Sequence, residues 1–90
     1  MMHYRILDAS RVTDRPSLHA ELRSALELPD YYGRNLDALY DCLTDIFEPV
    51  TLLIVDADRL EPALGDYADK LIATLKDAAE ENLQFSFRCY

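Results

Sequence analysis

The sequence predicts an α/β fold, a small three-stranded parallel sheet packed with four helices. Three strand-like apolar segments are separated by amphipathic helical segments, so each connection between successive strands is a helical crossover. Crossovers of this kind require parallel pairing and are almost always right-handed. With 90 residues, of which 50% are hydrophobic, the chain is long enough for one core and too short for two. We therefore expect a single domain over residues 1–90, and the strand order stays open.

The N-terminal third of the chain predicts one strand followed by one helix. The loosely alternating segment Tyr4–Ala9 predicts a short strand that ends at a polar stretch. Thr13 and Asp14 are N-cap candidates, and Pro16 is tolerated in the first turn of the helix that follows. Apolar residues then recur at helical spacing, so we expect an amphipathic helix that extends to about Glu27.

The middle of the chain predicts a loop, a second helix and a buried strand. Leu28–Gly33 predicts a loop, because Pro29 disfavours helix in the residue before it and the final glycine frees the backbone. Asn35 is expected to cap a helix that runs to about Asp45. Val50–Val55 is a nearly continuous apolar run rich in β-branched residues, which is typical of a strand buried on both faces of a parallel sheet.

The last part of the chain predicts a short helical turn, the longest helix and the third strand. The helical turn ends at Gly65, and Asp66 is expected to cap the next helix. Apolar residues recur at helical spacing from Tyr67 to Glu81, which predicts a helix that packs one stripe on the sheet. The alternating segment Phe85–Tyr90 predicts the terminal strand. We expect the helices together to cover the faces of the sheet.

The charge balance indicates a basic partner. Nine Lys and Arg residues against 17 Asp and Glu residues give a formal net charge of −8. Phosphate backbones and anionic lipids repel such a surface, so we expect neither nucleic-acid nor membrane binding. The N-terminal segment reaches a charge before an apolar stretch of signal-peptide length forms, which favours a cytoplasmic protein. Cys42 and Cys89 lack metal-binding spacing and are expected to be free thiols in that compartment.

The second predicted helix separates acidic from apolar side chains. Helical geometry places Asp37, Asp41, Thr44 and Asp45 together, and we call these four residues the acidic face. The leucines of the same helix lie on the opposite side, and Tyr40 borders both. Aspartates at this spacing repel one another, and no lysine or arginine within the helix relieves the repulsion. The helix is therefore less stable than one with interleaved lysines.

The acidic face and the loop before it have more than one interpretation. The acidic face is either a solvated surface of an acidic protein or a preorganised patch for a partner rich in arginine, lysine or histidine. A divalent metal site is disfavoured, because an open helix face lacks loop carbonyls and the EF-hand spacing. Tyr31 and Tyr32 either close the core or form an aromatic edge beside the acids, and one ring in and one ring out would serve both. His3 and His19 are both expected at the surface.

The sequence offers no catalytic arrangement. It contains no Ser-His-Asp or Cys-His pairing, no glycine-rich phosphate loop and no cofactor fingerprint. Two aspartates on an exposed helix also lack the burial that acid–base catalysis uses to give two carboxyl groups different roles. We therefore expect a protein that is not an enzyme and that uses no cofactor and no metal.

The segment Leu28–Thr44 resembles the barstar family of intracellular ribonuclease inhibitors. Its sequence, LPDYYGRNLDALYDCLT, follows the family pattern LPxYYGxNLDALxDCLT, which is long and specific. The resemblance extends more loosely over the whole chain and implies the barstar-like fold, a three-stranded parallel sheet with four helices. It also implies a cytoplasmic immunity protein, a monomer when free, that occludes the active site of a barnase-like ribonuclease one to one.

In that family, carboxylates of the second helix stand in for RNA phosphate against basic groups of the enzyme. The resemblance implies that Asp41 is the central acid, Asp37 its companion and Tyr31 the ring that packs on the catalytic histidine. It implies a polar contact for Thr44 and a peripheral salt bridge for Asp77 on the last helix. The other positions expected in the interface are Gly33, Asn35, Leu36, Tyr40 and Asp45.

The chain departs from the family pattern at several interface positions. The family has an acid where Arg34 stands, Trp where Tyr40 stands, Gly where Asp45 stands and Glu where Asp77 stands. These differences leave a second interpretation open, in which the chain is a barstar-fold binding module that regulates a different basic protein. A third interpretation, a small hydrolase, would require phosphodiester or ester turnover that Asp41→Asn abolishes.

Overall fold

The computed structural model describes residues 3–90, and within them it contains three parallel strands and four helices. The predicted fold class is therefore confirmed, and the main predicted strands and helices agree with the observed ones to within one residue at their ends. Met1 and Met2, which open the N-terminal segment, lie outside the described residues. The elements are β1 (His3–Asp8), α1 (Arg15–Leu26), α2 (Leu36–Thr44), β2 (Val50–Val55), α3 (Leu60–Leu64), α4 (Asp66–Glu81) and β3 (Phe85–Cys89), with 3-10 turns at Ala9–Arg11 and Ala57–Arg59.

Side-chain caps set where α1 and α2 begin. Asp14 caps α1: its carboxylate accepts a hydrogen bond from the Ser17 amide at 2.9 Å, and the Ser17 hydroxyl accepts one from the Asp14 amide at 3.0 Å. Asn35 caps α2 as predicted, and its side-chain oxygen accepts from the Ala38 amide at 2.7 Å. These bonds satisfy amides that a first helical turn leaves without a partner. The predicted cap of α4, Asp66, is instead its first residue, because the preceding glycine, with a φ of 61°, takes the cap position.

The strand order β1-β2-β3 decides which face of the sheet the helices cover. Both connections join strands that are neighbours in the sheet. Right-handed crossovers that advance in one direction across a sheet put their helices on the same side. Accordingly, α1 packs on β1 and α4 packs on β3 from one side. This covered face carries the core, and its buried strand residues are Leu7, Leu52, Ile54 and Phe85.

The opposite face of the sheet is open, so the expectation that helices cover the sheet faces and bury β2 on both sides is wrong. Tyr4 and Ile6 of β1 lie on this face at 63% and 62% of full exposure, and Val55 at the end of β2 is also exposed. Thr51 in the middle of the face is buried, between Tyr4 and Ser86 of the flanking strands. The apolar run of β2 therefore reflects its central position in the sheet, where a strand shelters each of its edges.

Helix α2 packs mainly on α4, and Asn82 fixes its C-terminal end. Leu39 and Leu43 are fully buried on the inner side of α2. Asn82 follows α4 and donates from its side-chain amide to the carbonyl oxygens of Leu43 at 2.9 Å and Ile46 at 2.8 Å. Leu43 lies in the last turn of α2 and Ile46 follows the helix, so these two bonds tie the end of α2 to the segment after α4.

Candidate functional site

The acidic face of α2 lies on the outside of the protein. Asp37, Asp41 and Asp45 are exposed, whereas Leu39 and Leu43 on the other side of the helix are fully buried. Because the buried leucines fix the rotation of the helix, the three carboxylates are held outward as a row. None of the three forms an ion pair with another residue between positions 3 and 90. Their negative charge is therefore not neutralised within this part of the chain.

Half-buried residues border the acidic face. The Thr44 hydroxyl donates to the carbonyl oxygens of Tyr40 at 2.9 Å and Asp41 at 3.1 Å, so its proton is used within the helix while its oxygen can still accept a hydrogen bond. Tyr40 packs partly against the core, which confirms its predicted position between the two sides of α2. Leu36 in the first turn is likewise half-buried against the core. Leu36 and Tyr40 therefore support the helix as well as bordering its exposed surface.

The loop before α2 exposes one tyrosine and buries the other. Tyr31 is 89% exposed and Tyr32 is 5% exposed, which confirms the arrangement with one ring out and one ring in. The next two residues, Gly33 and Arg34, are exposed and lead into the N-cap of α2. The loop thus provides an open aromatic ring close in sequence to the start of the acidic helix and anchors itself through the second ring.

The backbone of this loop corrects the role expected for Gly33. The left-handed conformation lies at Arg34, with a φ of 54°, and not at the glycine. A Cβ added at Gly33 would lie 3.1 Å from the Cβ of Ala38, so glycine there allows a close approach to the first turn of α2 that a larger residue would push back by a few tenths of an ångström. A non-glycine residue in the left-handed region costs about 1–2 kcal/mol. The Asn35 side-chain amide donates to the Gly33 carbonyl at 3.1 Å and closes the loop around Arg34.

His19 is buried next to this loop, so the expectation of a surface position is wrong. Only 1% of its surface is exposed. Its Nδ1 lies 2.6 Å from the Tyr32 hydroxyl, and its Nε2 lies 2.8 Å from the Tyr67 hydroxyl. The sequence conceals these contacts, because the tyrosines are 13 and 48 residues away along the chain. Burial of His19 could have been predicted from its spacing to the core residue Leu22, because residues three apart lie on the same face of a helix.

The imidazole of His19 joins α1, the loop and α4, and its surroundings favour the neutral ring. Burial lowers the pKa of His19 from its ordinary value of 6.5. Burial also raises the pKa of both tyrosines that contact it, Tyr32 and Tyr67, so these partners remain neutral. The guanidinium of Arg15, which is on α1 like His19 itself, lies 4.2 Å from the centre of the Tyr67 ring. Both ring nitrogens of His19 therefore face neutral hydroxyls.

Acidification is therefore expected to destabilise the protein through His19. The unfolded chain takes up a proton at His19 as the pH falls below about 6.5, whereas the folded protein resists protonation down to its lower pKa. The free energy of unfolding should fall over that window by at most about 1.4 kcal/mol per pH unit, with no effect above it. Urea denaturation of the wild type and His19→Gln at about pH 7.5 and about pH 5.5 measures this. If the difference in the free energy of unfolding between the wild type and His19→Gln is the same at both pH values, this expectation is wrong.

The structure brings most of the predicted interface residues onto the loop and α2. Asp77, the predicted peripheral acid, is exposed on α4, the helix against which α2 packs. No helix within residues 3–90 is long and apolar enough to cross a membrane. No cluster of three or more histidine, cysteine or acidic side chains in the same residues could hold a metal ion. The candidate site consists of the loop residues Tyr31, Gly33 and Asn35, the helix residues Leu36, Asp37, Tyr40, Asp41, Thr44 and Asp45, and Asp77.

Comparisons with known proteins cover this surface and the rest of the fold. The model of the family described as Barstar (barnase inhibitor) matches residues 2–90, which include every strand and helix. A protein of Bacillus subtilis (strain 168) named "Putative ribonuclease inhibitor YrdF" is 42% identical over 77 residues. That similarity covers 84% of this chain and 85% of the Bacillus protein. Both matches therefore extend well beyond the loop and α2.

Proposed function

The chain belongs to the barstar family, and we propose that it inhibits a barnase-like ribonuclease by covering the active site of the enzyme with α2 and the preceding loop. The observation that carries this proposal is the outward row of Asp37, Asp41 and Asp45, none of which has an ion-pair partner in the part of the chain that the structure describes. A ribonuclease cleft that binds a phosphodiester backbone is lined by cations. Carboxylates on a fixed helix suit such a cleft.

The proposed inhibition is steric and electrostatic, without chemistry. The net charge of −8 attracts a cationic enzyme from a distance and speeds encounter, and this effect weakens as salt is added. Once the proteins touch, the aspartates lose water and pair with cations of the cleft, which slows dissociation. The open ring of Tyr31 offers a flat surface for a histidine ring of the enzyme. The chain would act in the cytoplasm as a single-domain monomer.

A ribonuclease assay tests this function. A purified barnase-type enzyme acting on a fluorogenic RNA substrate should lose its activity at a one-to-one ratio with the protein, and inhibition should weaken at high salt. Failure of the folded protein to inhibit several such enzymes would contradict the proposal. It would favour a binding module for another basic protein, and the observation supporting that second function is Arg34, an exposed cation in the loop just before α2.

Asp77 is expected to affect association more than dissociation. It is exposed on α4, next to the helix that carries the acidic face, so it contributes to the electric field that guides the enzyme. Asp77→Asn should lower the association rate about two- to five-fold at low salt and much less at high salt. Stopped-flow binding at two salt concentrations measures this. Glu61→Gln on α3 removes the same charge elsewhere, and an equal effect of both variants would refute a local role.

A further inference from the structure

A groove of about 340 Å³ lies beside the acidic face, between the loop and the segment that follows α2. Leu28, Pro29 and Ile46 give it an apolar lining. Two aromatic rings also line it, and both are almost fully exposed: Tyr31 at 89% and Phe47 at 85%. Apolar residues clustered on a surface and rimmed by charge are typical of a binding site for another protein.

Three carboxylates line the same groove, and they differ in their contacts within the protein. Glu27 accepts a hydrogen bond from Arg5 at 2.7 Å, and Glu48 lies 3.6 Å from Nε2 of His3. Asp45 has no ion-pair partner among residues 3–90. It also follows the last turn of α2, where the negative end of the helix dipole disfavours a carboxylate. The unpaired charge of Asp45 is therefore costly in the free protein and available to a partner.

We propose that this groove binds an arginine side chain from the rim of the active-site cleft of the same ribonuclease, an inference that rests on the proposed function. The aliphatic stem of an arginine suits the apolar lining, and its guanidinium can pair with Asp45. The planar guanidinium also stacks on aromatic faces, which both Tyr31 and Phe47 offer, whereas the compact ammonium of a lysine stacks less well. Three carboxylates would repel an acidic group, and a purely apolar group would leave Asp45 buried without a partner.

The groove is continuous with the acidic face, because Asp45 belongs to both. A rim arginine bound there would contact the inhibitor alongside the basic groups that face Asp41. Cys42 also lines the groove, and burial, with Asp45 and Asp41 nearby, raises the pKa of its thiol. The thiol therefore contributes neutral, polarisable surface and no competing charge. The groove would favour ribonucleases with an arginine at this part of the rim over those without one.

Phe47→Ala and Asp45→Asn test the groove with little risk to folding. Phe47 is 85% exposed, and removing the charge of Asp45 relieves an unfavourable interaction with the helix dipole. Each variant is expected to raise the Kd for the ribonuclease about 5- to 30-fold. In the double variant, the Kd should rise by less than the product of the two single-variant increases, because both residues would bind the same side chain. Tyr4→Ala, which removes an exposed ring from the open face of the sheet, should leave the Kd unchanged.

Alanine substitution of each rim arginine of the ribonuclease completes the test. Against one of these enzyme variants, Phe47→Ala should no longer raise the Kd. If no rim arginine behaves in this way, the groove proposal is overturned. If Phe47→Ala and Asp45→Asn both bind with the Kd of the wild type while Asp41→Ala binds more weakly, the groove proposal is refuted and the proposed function remains intact. Lack of inhibition by the wild type would refute both.

Discussion

Asp41→Ala is expected to weaken binding to the ribonuclease more than any other single substitution on the acidic face. Asp41 lies in the middle of the row, between Asp37 and Asp45, so a docked enzyme would exclude water from it most completely. Its removal would leave the opposing cations of the enzyme buried and unpaired. Breaking a buried ion pair in this way costs about 3–5 kcal/mol, which corresponds to an increase in Kd of roughly 150- to 5,000-fold.

Inhibition titrations of the wild type and Asp41→Ala at two salt concentrations measure this effect. Asp58→Ala makes the same change in the 3-10 turn after β2, outside the proposed interface, and should inhibit like the wild type. Because Asp41 is exposed, its substitution should leave the urea denaturation midpoint nearly unchanged. An unchanged Kd, or a smaller loss than Asp37→Ala causes, would mean that the centre of the interface lies elsewhere.

Leu39→Ala is expected to lower the free energy of unfolding by about 2–5 kcal/mol. Leu39 is fully buried on the inner side of α2, and its truncation would leave a cavity between α2 and the core. A helix of nine residues has little stability of its own, so α2 depends on this packing. The loss would be a large part of the total stability of a small domain, which is commonly about 5–15 kcal/mol.

Urea denaturation of Leu39→Ala beside Leu83→Ala measures the contribution of burial alone. Both substitutions remove the same atoms, but Leu83 is 92% exposed, so its variant should unfold within about 0.5 kcal/mol of the wild type. We also expect Leu39→Ala to inhibit less well, because the carboxylates of a loosened α2 are no longer held in a row. Equal stability of the two variants would show that Leu39 does not anchor the helix.

Features of the fold that depend on residues close together in the sequence could be predicted from the sequence. Asn35 caps α2 as expected because its partner, the Ala38 amide, lies three residues away. The bounds of β2, Val50–Val55, also agree with the apolar run. The open face of the sheet could not be predicted, since it follows from the strand order, and strand order depends on contacts between distant segments. The contacts of His19 could not be predicted for the same reason, because its hydrogen-bond partners come from other elements.

The candidate site likewise has features that could be predicted from the sequence and features that could not. The exposure of Asp37, Asp41 and Asp45 follows from helical geometry and from the buried leucines behind them, so the sequence was sufficient. The groove was not foreseen, because Leu28 precedes α2 and Phe47 follows it, and no local pattern connects them. The left-handed backbone at Arg34 was also missed, since glycine is the usual residue in that conformation and one stands beside it.

The two hydrogen bonds from Asn82 have a consequence for the order of events during synthesis. Asn82 follows Leu43 by 39 residues and Ile46 by 36, so α2 emerges from the ribosome long before the residue that secures its end. β3, which completes the sheet, is made later still. A growing chain thus carries all the acidic side chains before it can hold them in a fixed row. If the proposed function is right, a ribonuclease made in the same cell meets a working inhibitor only after the segment that carries Asn82 and β3 has been made.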